Sequence, residues 1–198
     1  MENQNQNQNQ NQILSKLSKE DIAGLNKIET DIRKIPNFPK EGVLFYDLFS
    51  IFGNVELTKI LFNIIEKVVK ILEEKSEKKI NVILGLESRG FLIGMVIAER
   101  LKIPFVPMRK KNKLPGECYK IDYTTEYSKD TFELQKNAVN SDSNVLVVDD
   151  LLATGGTLKA AEDLLKMAGA KIGGFLTIFE IDFFKGHLKL ENSDKSIS

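Results

Sequence analysis

The stretch Val145-Leu-Val-Val-Asp149-Asp150-Leu-Leu-Ala153-Thr154-Gly155-Gly156-Thr157 limits the possible folds more than any other part of the chain. Its four consecutive apolar residues make a strand suited to burial on both faces, as in a parallel sheet. Two acids end that strand. Ala153 to Thr157 then forms a small polar turn into a helix, so unpaired backbone N–H groups and two hydroxyls gather where the helix dipole favours a phosphate. Gly155 and Gly156 let this backbone approach a ligand closely. Asp149 and Asp150 lie where a sugar attached to that phosphate would sit, and carboxylates accept hydrogen bonds from vicinal hydroxyls. The pattern asks for a ribose 5-phosphate. It is neither a Walker A loop nor a Gly-x-Gly-x-x-Gly dinucleotide fingerprint.

The rest of the chain supplies the layers that such a unit needs. Leu57, Ile60, Leu61, Ile64, Ile65, Val68, Val69 and Leu72 recur at three- and four-residue spacing, which predicts a long amphipathic helix. Ile80 to Leu86 reads as a buried strand, Gly90 to Leu101 as a helix, and Ile103 to Met108 as a strand whose Pro104 and Pro107 suggest an edge or irregular position. Lys110 to Lys136 is the longest candidate loop or hairpin and has the position of a lid. Gly156 to Ala168 reads as a helix closing at Gly169, and Ile172 to Ile181 as a further strand. Strand and helix thus alternate from Ile80 onward. The expected fold is α/β, a mostly parallel sheet flanked by helices, with sites at the carboxyl ends of its strands.

Composition narrows the function. The 198 residues carry 28 Lys plus Arg and 28 Asp plus Glu, so a net charge of zero supplies no basic field for a nucleic acid. Cys118 is the only cysteine and closes no intrachain disulfide, which favours a cytoplasmic setting. The longest apolar stretch, Gly90 to Ala98, is far below the roughly 20 residues that span a bilayer, so no membrane partner is expected. Asn3 to Gln12 alternates Asn with Gln and offers no apolar surface to offset the entropy of ordering, so residues 1–12 read as a disordered tail. Residues 13–198 are then one domain, with 56–185 its α/β core and 110–136 its lid loop. His187 and Cys118 lack the neighbours that nucleophilic catalysis or metal ligation requires, and no metal-ligand set is visible.

Four segments together resemble the adenine branch of the type I phosphoribosyltransferases. They are Pro36-Asn-Phe-Pro-Lys-Glu-Gly-Val-Leu-Phe-Tyr-Asp47, Gly85-Leu-Glu-Ser-Arg-Gly-Phe91, Arg109-Lys-Lys-Asn-Lys-Leu-Pro-Gly116 and Val147 to Thr157, in the family's order, and the resemblance runs from Ile28 to Lys189. It implies that 5-phosphoribosyl 1-diphosphate and adenine give AMP and diphosphate. Ala153, Thr154, Gly155, Gly156 and Thr157 would take the 5-phosphate. Asp149 and Asp150 would take the ribose hydroxyls. Glu87, Ser88, Arg89, Arg109, Lys110 and Lys113 would serve the diphosphate, with a cis peptide at Glu87–Ser88 and some of these contacts made across a homodimer interface. In a small N-terminal base-binding region, Phe45 would stack on adenine while the backbone at Leu44 and Tyr46 reads its edge; the family often has Arg where this chain has Tyr46. Glu126 would be the acid/base partner of the purine, and Tyr127 would help to close the site. Mg²⁺ would come with the substrate. The alternatives are transfer to another nucleobase and a non-catalytic nucleotide sensor.

Because the Asn-Gln tail has nothing to bury, deleting Met1 to Gln12 is expected to leave turnover and melting temperature nearly unchanged. Parallel activity and thermal-melt measurements check this, and a large loss of either would show the tail to be structural.

Overall fold

The computed structural model describes residues 13–124, 129–181, 184–192 and 196–197. Helix α1 (Lys19–Asp31) opens on a capping box: Ser18 N donates to Asp21 Oδ2 at 3.0 Å, and Asp21 N donates to Ser18 Oγ at 3.2 Å. Strands β1 (Arg33–Pro36) and β2 (Leu44–Asp47) form an antiparallel pair that stays apart from the main sheet. Helix α2 (Leu48–Phe52) follows, capped by Asp47. Asn54 then starts α3 (Val55–Ser76) by accepting from the N–H groups of Glu56 and Leu57. The expected apolar face of α3 is buried, with Ile60 at its margin.

The main sheet contains β3 (Val82–Leu86), β4 (Phe105–Lys110), β5 (Cys118–Thr124), β6 (Lys129–Gln135), β7 (Asn144–Val148), β9 (Lys171–Leu176) and β11 (Ser196–Ile197). Its order is β11-β9-β7-β3-β4-β6-β5, parallel from β11 to β4 and antiparallel at β6 and β5. Helices α1, α3 and α4 (Arg89–Leu101) cover one face, meeting Ile83, Leu146 and Val148. Helix α5 (Gly156–Met167) covers the other, meeting Val145, Val147 and Phe175. Alternate residues of β7 therefore enter different cores, which explains its unbroken apolar sequence. No helix among the described residues is long and apolar enough to cross a membrane.

Three sequence expectations change in detail. The segment 110–136 is mainly the hairpin β5/β6, because Phe132 and Leu134 are buried and Tyr119, Ile121 and Tyr123 alternate onto the same core. Strand β4 is internal rather than an edge. It accommodates Pro107 because Ile83 and Glu87 donate to the carbonyls of Pro104 and Met108, while the recorded pairing with β6 involves only Arg109 and Lys110. The strand expected over Ile172–Ile181 stops at Leu176. Ile178 N and Phe179 N both turn to the Asp150 carbonyl, at 3.1 and 3.0 Å, and β10 (Phe179–Glu180) pairs instead with β8 (Leu151–Leu152).

Leu146 has no exposed surface and sits in central strand β7. Leu146→Ala is expected to cost about 2–5 kcal/mol of stability through lost burial and a residual cavity, read as a lower urea midpoint with an unchanged far-UV spectrum.

Candidate active site

Gly85 on β3 pairs with Val148 on β7, so the turns after these strands emerge side by side. Glu87-Ser88, joined by a cis peptide, leads into α4, and Asp149-Asp150 leads through β8 into α5. A Cβ on Gly90 would lie 2.5 Å from the Val148 carbonyl oxygen and 3.2 Å from Asp149 Cα, so only glycine allows the two turns to meet. The result is a cleft of about 340 Å³ lined by Glu87, Ser88, Arg89 and the run 149–158.

Its charged groups are cross-paired. Arg89 Nε donates to Asp150 Oδ2 at 2.5 Å. The Arg109 guanidinium forks onto Glu87, with Nε to Oε2 and Nη2 to Oε1 both at 3.2 Å, and Lys110 N donates to Glu87 Oε2 at 3.0 Å. Burial opposes ionisation of Glu87, but Arg109 and the Lys110 N–H outweigh it and hold the carboxyl below its usual range. Asp149 differs. Burial first, and the adjacent Asp150 charge second, push its carboxyl well above the usual range, although Oδ1 accepts from Asp150 N at 2.9 Å.

On the far side of the acid turn, β8 and the loop to α5 present the backbone of Ala153 to Thr157 to the cleft. Gly155 holds φ +75°, a left-handed conformation that suits glycine. Tyr123 of β5 packs its ring near Gly156 and stacks on Phe132 with centroids 4.7 Å apart. Its hydroxyl also lies 3.5 Å from Asp130 Oδ2, which binds Lys110 Nζ at 3.0 Å. Asp130 in turn raises the Lys110 amine above its ordinary value.

The cleft joins an apolar cavity of about 1030 Å³ that reaches Arg89 and Asp150 and is walled by Leu44, Phe45, Tyr46, Ile178 and Phe179. Phe45 is half-buried and meets Phe38 edge-on at 5.0 Å, while the Tyr46 ring stacks on Phe179 at 5.8 Å. Here is an aromatic wall for a planar ring beside a polar cradle for a sugar phosphate.

A phosphoribosyl transferase domain model matches residues 54–196. Adenine phosphoribosyltransferase 1 of Saccharomyces cerevisiae is 44% identical over 164 residues, covering 83% of this chain and 87% of the relative. The chain belongs to the phosphoribosyl transferase family. The adenine phosphoribosyltransferase of Koribacter versatilis is 41% identical over 85% of this chain and 90% of its own. The crystal structure of the Saccharomyces cerevisiae enzyme, complexed with an imino-altritol bisphosphate and adenine, superposes with a TM-score of 0.80 over 86% of this chain and 96% of that one. The Trypanosoma brucei enzyme, in complex with AMP, pyrophosphate and ribose-5-phosphate, is 31% identical with a TM-score of 0.75, covering 84% and 71%.

In this phosphoribosyl transferase, Glu87, Ser88, Arg89, Asp149, Asp150 and the run Ala153–Thr157 meet in one cleft, and Leu44, Phe45 and Tyr46 border the adjoining cavity. Arg109 reaches the cleft through Glu87, whereas Lys110 and Lys113 are exposed outside its walls. Glu126 and Tyr127 lie outside the described residues, as does the tail 1–12. Sequence reasoning assigned no role to Tyr123; the alternation Tyr119, Ile121, Tyr123 was the signal available. It also set aside His187, which is buried and lies 2.6 Å from Glu180 through Nδ1.

Because Asp149 has a raised pKa in the folded state, the stability linked to this group is complete below the usual carboxylate range and is lost as pH rises through the raised value. Asp149→Asn is therefore expected to raise the melting temperature of the ligand-free protein at neutral pH, with the gain vanishing at acid pH. Thermal melts across pH check the sign.

Proposed function

We propose that this chain is an adenine phosphoribosyltransferase that converts adenine and 5-phosphoribosyl 1-diphosphate into AMP and diphosphate. The observation that carries the reading is the continuity of the phosphate turn, the acid pair and the Glu87–Arg89 turn with the aromatic wall of Phe45. Relatives that hold adenine beside a bisphosphate, or AMP with pyrophosphate, support it.

The 5-phosphate rests on the N–H groups of 153–157, and Asp149 and Asp150 take the ribose hydroxyls. The bond from ribose C1 to the diphosphate oxygen breaks, leaving an oxocarbenium-like centre, and a purine ring nitrogen forms the new bond at C1. The purine then loses its proton. Arg89 is set beside the departing diphosphate, and Arg109 acts through Glu87 to hold the turn that faces it. Substrate ionisation and diphosphate binding exchange one set of charge partners for another, so Arg89 need not remain on Asp150. Mg²⁺ would come with the substrate, held mostly by the diphosphate and the ribose hydroxyls, and would offset charge on the leaving group. We assign Glu126 as acid/base partner of the purine and Tyr127 to closure of the hairpin, both on family resemblance.

We also assign a homodimer. Leu92, Met95 and Val96 expose one apolar face of α4 at helical spacing, and Val55 is 70% exposed. A second copy covering this face would approach the end of β4 that carries Arg109 and Lys110.

Diphosphate release measured with adenine, hypoxanthine, guanine and orotate tests the activity: adenine is expected to be strongly preferred, and no release with any base would overturn the reading. Asp149→Asn plus Asp150→Asn is expected to abolish turnover with the fold intact. In single-turnover AMP formation at saturating substrates, Glu126→Gln should slow the reaction about 10²–10⁴-fold, and an unchanged rate would move catalysis to the phosphate and diphosphate turns alone.

A further inference from the structure

Two described pieces of the chain after β9, residues 178–181 and Gly186, lie against the acid turn and the phosphate turn. Ile178 N and Phe179 N donate to the Asp150 carbonyl, Phe179 and Glu180 pair with Leu151 and Leu152, and Ile181 N donates to Leu152 O at 2.9 Å. Gly186, which opens the 3-10 turn Gly186–Lys189, then lies directly against the turn. A Cβ on Gly186 would fall 2.1 Å from the Ala153 carbonyl oxygen and 2.7 Å from Gly155 N, and a Cβ on Gly155 would fall 2.1 Å from the Gly186 carbonyl oxygen. Backbone therefore rests on backbone behind the groups that face the 5-phosphate.

Two buried polar contacts fix this backing. His187 Nδ1 lies 2.6 Å from Glu180 Oε1, with side chains only 11% and 8% exposed, so the residue next to Gly186 is tied to the residue paired with Leu152. Further on, Glu162 of α5 is fully buried and accepts from Glu191 N at 3.2 Å, Asn192 N at 3.1 Å, Asn192 Nδ2 at 2.7 Å and Lys159 Nζ at 3.1 Å. These contacts anchor the strap to the helix whose N-terminus is the phosphate turn. Burial and the partners Asp163, Glu191 and Glu162 act in opposite directions on Lys159, and the partners prevail.

A turn of Ala, Thr and two Gly has little side-chain packing of its own to hold its N–H groups convergent. We propose that Glu180 and His187 are positioning residues that press Gly186 onto Gly155 and so keep the 5-phosphate cradle formed before the donor arrives. The proposal rests on the reading of 153–157 as that cradle. Neither side chain touches the reacting atoms. Their effect falls on donor binding, because a preformed cradle reduces the ordering cost of binding; Glu180 also borders the base cavity beside Phe179, so His187, which does not, carries the comparison between the two substrates.

The test compares wild type, His187→Ala, His187→Asn, Glu180→Gln and Thr157→Val. Ribose 5-phosphate binding is measured by calorimetry, and KM and kcat are measured for both substrates. His187→Ala is expected to weaken ribose 5-phosphate binding and to raise KM for 5-phosphoribosyl 1-diphosphate about tenfold, the scale of one lost charge-assisted hydrogen bond. KM for adenine and kcat at saturating donor stay within twofold of wild type. Glu180→Gln should act in the same direction. His187→Asn, whose amide N–H can stand where Nδ1–H stood, should restore most of the affinity, and this rescue keeps the test informative if the alanine variant does not fold. Wild-type donor affinity in both His187→Ala and Glu180→Gln, or equal shifts in KM for both substrates in His187→Ala, would overturn the proposal. If ribose 5-phosphate does not bind wild type, or binds Thr157→Val as well as wild type, the cradle assignment itself fails instead.

Discussion

The arrangement of the functional end depends on the contact of α4 with the acid turn at Gly90. Parallel pairing of β3 with β7 brings two turns out at the same edge, but adjacency alone would leave them a side chain apart. With no Cβ at position 90, the first turn of α4 settles onto Val148 and Asp149. Arg89 then reaches Asp150, and the Glu87–Arg89 turn and the two acids share one cleft. The separation between these two turns is thus set by backbone contact rather than by adjustable side chains.

The charges around that cleft hold one another in place. Arg89 is held by Asp150, Arg109 by Glu87 and Lys110 by Asp130. Such pairs limit the number of conformations that each long side chain samples, and they keep the isolated protein from carrying unbalanced charge near buried surface. Asp149 bears the cost that the other groups avoid. Its carboxyl is buried beside a second acid, a perturbed pair of the kind that clusters at functional sites.

Much of this was legible in the sequence where local chemistry and global fold agree. The run Val145–Thr157 encodes strand, acids, glycines and helix start within thirteen positions, and each of these features is local. The apolar spacing of α3 likewise follows from one helical period. Less legible were features decided by distant partners. The charged residues of β5 and β6 mask an alternation that becomes meaningful only when Phe132 and Leu134 have a core to enter. Strand β9 ends at Leu176 because the Asp150 carbonyl competes for the next N–H groups, and nothing in Thr177 or Ile178 announces that. His187 carries no spacing signal, because its partner Glu180 is positioned by the pairing of β10 with β8.

The hairpin β1/β2 forms its own two-stranded sheet and shares no ladder with the seven-stranded one. It meets the body through side chains, as in the Tyr46–Phe179 stack. Under the proposed reading, acceptor choice and donor chemistry therefore draw on different sheets of the molecule. On the same reading, a substitution at Leu44 or Phe45 can reshape the wall against which the base lies without passing through a hydrogen-bonded register to Asp149 and Asp150, whereas Tyr46 stacks on Phe179, whose N–H reaches the Asp150 carbonyl. Drift in the one part is tolerated while selection holds the other fixed, so a lineage could change the base it salvages and keep unaltered the machinery that activates the sugar.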